Sequence, residues 1–218
     1  MKKIIVIGLG NFGFNLAKKL KENGCEVLGI DISRDLVENI KDFISQPVIA
    51  DATNKELLAS LMLRDFDAAV ISIGQNIASS TLIALHLQEI GVKNIIVRAI
   101  SVDHGKILNK LGVSEVIFPE TEIAHRLANR LSLKNALDFI PLTEEHSIIE
   151  IIPPSSFIGK SLKELAISAT FQCQVVALKE VDDKAIKIPP SANDIINEKT
   201  IMVIIGKTSN IEKIQMLK

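Results

Sequence analysis

Three glycines near the start of the chain, in Gly8-Leu9-Gly10-Asn11-Phe12-Gly13, have the spacing of a turn that cradles phosphate. Gly8 permits a tight turn, and Gly10 lets a pyrophosphate approach the backbone. Gly13 lets the following helix pack closely on the preceding strand, while the start of that helix offers N–H donors and partial positive charge. Asn11 and Phe12, between the second and third glycines, are candidate contacts of the same ligand. Eighteen residues after Gly13 stands Asp31, followed by Ile32, at the end of a second apolar run. A carboxylate there accepts hydrogen bonds from both ribose hydroxyls and repels a 2′-phosphate. The expected ligand is an adenine nucleotide with a free 2′-OH (NAD or NADH, ATP, ADP or AMP) and not NADP. Arg34 is close to Asp31 and is read as a surface charge.

Three further runs end in residues suited to the same crevice. Asp51-Ala52-Thr53 brings a carboxylate and backbone within reach of adenine or ribose, and Thr53 or Asn54 also suits a helix cap. Ser72-Ile73-Gly74, with Asn76 just beyond, is small enough for close approach of a ligand. Arg98 offers a guanidinium to phosphate oxygens, with pairing to Glu115 or Asp103 as the bland reading. Bond-making chemistry is poorly supported. No tyrosine exists to form a Tyr-Lys acid/base pair, and the four histidines (His86, His104, His125 and His146) lack metal-binding spacing. Each reads as a surface or packing residue, and no catalytic residue is assigned.

These groups need a scaffold that brings distant strand ends together. Thirty-five isoleucines in 218 residues, with 47% apolar residues overall, favour a buried parallel sheet. Apolar runs predict strands at Lys3–Ile7, Glu26–Ile30, Val48–Ala50, Ala68–Ile73, Asn94–Ala99 and Glu115–Phe118. Helical patterns lie between them, at about Phe12–Asn23, Ser33–Phe43, Asn54–Leu61, Ile77–Ile90 and Val102–Leu111. Gly24, Gly91 and Gly112 suit helix C-caps. Six β-α repeats make a Rossmann-like, doubly wound parallel sheet of α/β class.

Pro119-Glu120-Thr121 interrupts the pattern. Thr121 is expected to cap a connecting helix to about Leu133, and Asn135–Phe139 to form a second short helix. A small α+β unit follows, with strands at Ser147–Ile152, Gln174–Val181 and Thr200–Ile205, a short helix at Ser161–Ala166 and a turn at Asp182-Asp183. The net charge of −1, from 25 basic and 26 acidic residues, exerts no global pull on nucleic acid. Cys25 and Cys173 form no CxxC and read as apolar fillers in a reducing cytosol. No apolar run approaches the roughly 18 residues of a membrane span, and Met1-Lys2-Lys3 leads straight into a strand with no cleavage pattern.

The chain resembles the cytosolic RCK (TrkA-type) regulatory subunits of Ktr and Trk potassium uptake systems. The resemblance is carried by Val6 to Gly13, Val27 to Asp31, Ile49-Ala50-Asp51-Ala52-Thr53, Ile73-Gly74-Gln75-Asn76, Ser80-Thr81-Leu82 and Val97-Arg98-Ala99. It continues through Gly112 to Glu120. Phe157-Ile158-Gly159-Lys160-Ser161-Leu162 and Ile201 to Gly206 are similar to the RCK-C (TrkA-C) module. The resemblance implies an RCK-N domain with its crossover helix over residues 1–134 and an RCK-C dimerisation domain over residues 135–218. It also implies a homodimer assembled into an octameric ring, cytoplasmic and docked under a membrane-embedded Ktr/Trk-type potassium transporter. Glu120 matches a glutamate that places Mg or Ca at the dimer interface, and its bland reading is a first-turn acid favoured by the helix dipole. Two departures stand out. Asn11 replaces an arginine that meets the terminal phosphate of ATP in many relatives, and Ala166–Cys173 lacks the basic residue expected for cyclic di-AMP.

Non-enzymatic gating of potassium uptake by a nucleotide is therefore the leading expectation. An NAD-dependent oxidoreductase or a redox-responsive NAD sensor is the alternative, and it requires the second unit to present an acid or base to the nicotinamide. A DNA-binding regulator ranks third, for want of a basic recognition helix.

Overall fold

The computed structural model describes residues 1–74, 76–132, 136–181 and 185–217. Two compact units divide the chain, Met1–Pro119 and Glu120–Lys218.

In the first unit β1 (Lys3–Ile7), α1 (Asn11–Glu22), β2 (Glu26–Asp31), α2 (Arg34–Ile40), β3 (Gln46–Ile49) and α3 (Lys55–Ser60) form one half. The other half is β4 (Ala68–Ile71), α4 (Ile77–Ile90), β5 (Ile95–Arg98), α5 (Val102–Leu111) and β6 (Glu115–Ile117). The strands are parallel, in the order β3-β2-β1-β4-β5-β6. Alternation within the unbroken run of β1 explains the layering. Ile5 and Ile7 face a core shared with Leu58, Ile83, Leu87 and Leu108 of α3, α4 and α5. Ile4 and Val6 face Ala17, Val37 and Ile40 of α1 and α2. Both sheet faces are thus covered, as the sequence pattern requires. Residue 47 adds a detail: β3 begins at Gln46, two residues before the expected start, and contains Pro47. It is an edge strand, where the missing N–H of a proline is tolerated.

Gly91 and Gly112 cap α4 and α5 with φ of 94° and 85°. At the end of α1 the cap is Asn23, and Gly24 follows it with φ of 85°.

The second unit holds α6 (Pro119–Ser132, whose first residue closes the first unit), β7 (Ala136–Pro141), β8 (His146–Ile151), α7 (Leu162–Leu165) and α8 (Ile167–Phe171). β9 (Gln174–Glu180), β10 (Ile186–Lys187), β11 (Thr200–Lys207) and α9 (Thr208–Gln215) complete it. Its antiparallel sheet runs β10-β9-β11-β8-β7. Ile149, Ile151, Met202 and Ile204 pack with Ile211 and Ile214 of α9. Cys173 packs against Gly206, where a Cβ would lie 2.7 Å from Sγ, and burial pushes its thiol up from the ordinary value.

Two expectations are corrected here. The connecting helix starts at Pro119, so Thr121 lies inside it; proline's fixed φ and missing N–H suit a first helical position. The expected helix at Asn135–Phe139 is instead β7, because a short apolar run takes its conformation from its neighbours. β7 pairs with β8, setting Phe139 opposite Ile149 in the core. Leu133, Asn135, Asp182 and Asp183 lie outside the described residues, as does Gln75.

Candidate functional site: a cavity at the strand ends

Parallel topology carries the C-terminal ends of β1 to β5 to one side of the sheet, where they line a cavity of about 490 Å³. At its centre is the turn after β1. Gly8 has φ of +90°, a conformation that disfavours any side chain, and its N–H donates to the Ile30 carbonyl at 2.8 Å. The Gly8 carbonyl accepts from the buried Ser72 hydroxyl at 2.6 Å. Gly13 is imposed by packing: a Cβ there would stand 1.9 Å from the Gly8 oxygen.

Gly10 is different. It lines the cavity, and a Cβ built on it meets nothing within 4 Å. The chain's own packing leaves this position open, on the cavity side of the start of α1. Gly10 caps α1 without a side chain, and the first turn holds no acidic residue. The initial N–H groups of a helix lack intrahelical acceptors, so this end presents free donors and no opposing negative charge to the cavity.

Asp31 closes one side. Its Oδ2 accepts from the Leu9 N–H at 2.6 Å and its Oδ1 from the Ser33 N–H at 2.8 Å. Each oxygen keeps a lone pair for a further donor. Asp51, at the end of the β3 run, accepts from the Thr53 hydroxyl and N–H at 2.7 and 2.9 Å. These bonds, the hydroxyl's first, hold its carboxyl below the ordinary value. The cap of α3 is Asn54, whose side chain accepts from Leu57.

The opposite side is formed by Ser72, Ile73, Gly74, Asn76 and Arg98. Asn76 caps α4 through the Ser79 N–H at 3.0 Å. Behind it Ser80 Oγ lies 3.2 Å from Nε2 of the buried His104, whose Nδ1 is 3.4 Å from the Ile100 N–H. With Nδ1 accepting, Nε2 carries the proton and donates to Ser80. Burial lowers the pKa of His104. This clasp ties the start of α4 to the turn after β5.

Of the residues singled out in the sequence, Gly8, Gly10, Asp31, Ile32, Asp51, Ala52, Thr53, Ser72, Ile73, Gly74, Asn76 and Arg98 line the cavity together. Gly13 acts behind it. Asn11 turns to its own helix, accepting from Asn15 at 3.1 Å. Phe12 reaches the site through Arg98, whose guanidinium lies 5.9 Å from the ring centre. Glu120 is an exposed acid in the first turn of α6, outside this cavity's lining, and no cluster of three metal-ligating side chains occurs among the described residues. Ile7, Ile30, Leu36, Ala50, Ser79 and Ile83 also line the cavity, though the sequence alone assigns none of them to the site. Ile7, Ile30 and Ala50 each precede a named residue, and Ser79 and Ile83 sit one and two turns along α4 from Asn76, so helix periodicity held the signal.

The TrkA-N domain family matches residues 4–119 and the TrkA-C domain family residues 146–218. The chain is 37% identical to Ktr system potassium uptake protein C of Bacillus subtilis (strain 168), over 98% of this chain and 96% of that one. It is 36% identical to Ktr system potassium uptake protein A of the same organism, with the same coverage. Among solved structures, the GsuK RCK domain superposes with a TM-score of 0.70 at 17% identity, covering 99% of this chain and 48% of that one.

Proposed function

The chain belongs to the TrkA family, and from that premise we propose that it is the nucleotide-binding regulatory subunit of a Ktr-type potassium uptake system. It acts without chemistry of its own, on a membrane-embedded transporter subunit. The observation that carries this reading is the cavity at the parallel strand ends, with a ribose acceptor at Asp31 and an open, acid-free helix start at Gly10. That pair suits an adenine nucleotide whose 2′-OH is free, and a 2′-phosphate would meet the Asp31 charge. Asp51 and Thr53 extend the ribose side, and Ser72, Gly74 and Asn76 the phosphate side.

No helix among the described residues is long and apolar enough to cross a membrane. The subunit works at the inner membrane face through its partner. It pairs with itself, residues 135–218 supplying dimer contacts and residues 1–134 the ring of nucleotide sites, in an octamer. Glu120 holds a divalent cation, Mg or Ca, at the dimer interface. Nucleotide gates transport by binding one ring shape more tightly than the other, since a ligand of equal affinity shifts nothing.

A thermal-shift panel tests the ligand class. ATP, ADP, AMP, NAD and NADH raise the melting temperature, and a ligand at a hundred times its Kd adds about 2.7 kcal/mol. NADP gives the smallest shift of the dinucleotides. Asp31→Ala weakens every adenine nucleotide at least ~10-fold, through loss of charge-assisted bonds. An NADP shift equal to that of NAD, or Asp31→Ala with native affinity, removes the basis of this reading.

A further inference from the structure

His104 is 1% exposed and stands behind the cavity, outside its lining. Its ring joins two connections that do line it. The Ile100 N–H donates to Nδ1 at 3.4 Å, which leaves the proton on Nε2, and Nε2 donates to Ser80 Oγ at 3.2 Å. Ser80 passes the chain on to a carbonyl at the start of α4, Asn76 or Ile77, each 3.1 Å away. Ile100 lies just beyond Arg98 and Ser80 one turn beyond Asn76, and both Arg98 and Asn76 line the cavity. The neutral ring therefore sets the spacing between the β4–α4 and β5–α5 connections.

A proton on Nδ1 undoes this arrangement. It turns a donor toward the Ile100 N–H, so an attractive contact becomes a repulsive one. It also puts a positive charge in the first turn of α5, where the helix dipole disfavours a cation. No anion reaches the ring to offset that charge. α5 packs against α4 and β6, whose titratable groups are His86, Glu89 and Glu115. Glu89 pairs with Lys55 at 2.8 Å, and on α5 itself Asp103 pairs with Lys106 at 2.8 Å. Neither these groups nor Lys110 and Arg98 move the His104 pKa, which burial alone lowers.

We infer that His104 is a positioning residue through which the nucleotide site reads pH: its neutral ring holds the two connections at the spacing the ligand needs, and its protonation releases them and weakens binding. The inference rests on the reading of the cavity as an adenine-nucleotide site. Linkage makes the effect reciprocal, so a bound nucleotide drives the proton off His104. One proton sets the limit, at most about a tenfold loss of affinity per pH unit.

Titration calorimetry of the full chain with ADP and with NAD, at pH 7 and pH 5, tests it in wild type and His104→Gln. Glutamine keeps an acceptor for Ile100 and a donor for Ser80 on one side chain, and it takes up no proton in this range. Affinity at pH 7 stays within about threefold of native in His104→Gln, while the loss on going to pH 5 is at least ~3-fold larger in wild type. The nucleotide's own titration is common to both proteins and cancels in that ratio. Ser80→Ala, which cuts the link to α4 and keeps the ring, lowers affinity at pH 7 and shrinks the pH difference. In wild type alone, NAD has no titrating phosphate proton, so binding heats at pH 5 in buffers of different ionisation enthalpy show protons released. Equal pH ratios in wild type and His104→Gln, or no proton release, overturn the inference and leave the nucleotide reading standing. Wild-type protein that binds neither nucleotide overturns that reading, and this inference with it.

Discussion

The two sheets are built from similar residues and distribute chemistry differently. In the parallel sheet every strand ends on the same side, so Gly8, Asp31, Asp51, Ser72 and Arg98 meet around one cavity despite coming from five separate runs. In the antiparallel sheet neighbouring strands end on opposite sides, and polar groups meet across the strands. Lys179 on β9 pairs with Glu150 on β8 over the intervening β11. Strand direction, more than isoleucine content, decides which sheet gathers a binding site. The first unit therefore divides its residues between core packing and the lining of one shared cavity.

The largest expected effect is in the second unit. Ile204 is fully buried in β11, and Ile204→Ala costs about 3 kcal/mol in denaturant unfolding. Nucleotide affinity of the folded protein, measured by calorimetry, stays native; a parallel loss of affinity breaks the comparison. The glycines of the first unit sharpen it. Gly13→Ala forces a Cβ against the Gly8 oxygen and costs about 2 kcal/mol of stability. Gly10→Val, at a cap with φ of −62° and open space beside it, costs about 1 kcal/mol at most, from the poorer capping of α1 by valine. It abolishes nucleotide binding all the same. If Gly10→Val unfolds the protein, or binds normally, the division fails.

The smallest effect is a pH dependence from the clasp. Burial lowers the pKa of His104 from its ordinary 6.5, so below that pH the unfolded chain takes up a proton that the folded one resists. Stability from this group is complete above about pH 6.5 and is lost as pH falls toward the lowered value. Unfolding midpoints between pH 7 and 5 record the slope, and His104→Gln flattens it. An unchanged slope in that variant assigns the dependence to other groups.

Much of the first unit was legible because β1 to β6 are punctuated by helices with glycine stops and because both sheet faces are buried. The turn from Gly8 to Gly13 and the acid at Asp31 needed only spacing. Asn11 lies outside the cavity lining and accepts from Asn15 one turn on, a placement set by helix phase that spacing alone does not give. The second unit was harder. Ala136–Pro141 has no periodicity of its own and becomes a strand only through β8, while α8, β10 and α9 went unread. The two-residue β10 is below any pattern length, and α9 follows β11 without a break, so an apolar run and a helix merge in sequence. His104 gave no local sign of burial because Ser80, its partner, is 24 residues away.

Asp31 is gripped at both oxygens by the N–H groups of Leu9 and Ser33. Its carboxylate thus has little rotamer entropy left to lose when a ribose arrives, whereas a mobile side chain forfeits about 0.5–1.5 kcal/mol on being immobilised. The Leu9 grip also joins the acid to the phosphate turn, so the two halves of the site are preorganised as one rigid receptor. On the function proposed above, occupancy would follow ligand concentration without a search by Asp31, and the memory of a past concentration would last only as long as a bound molecule takes to leave.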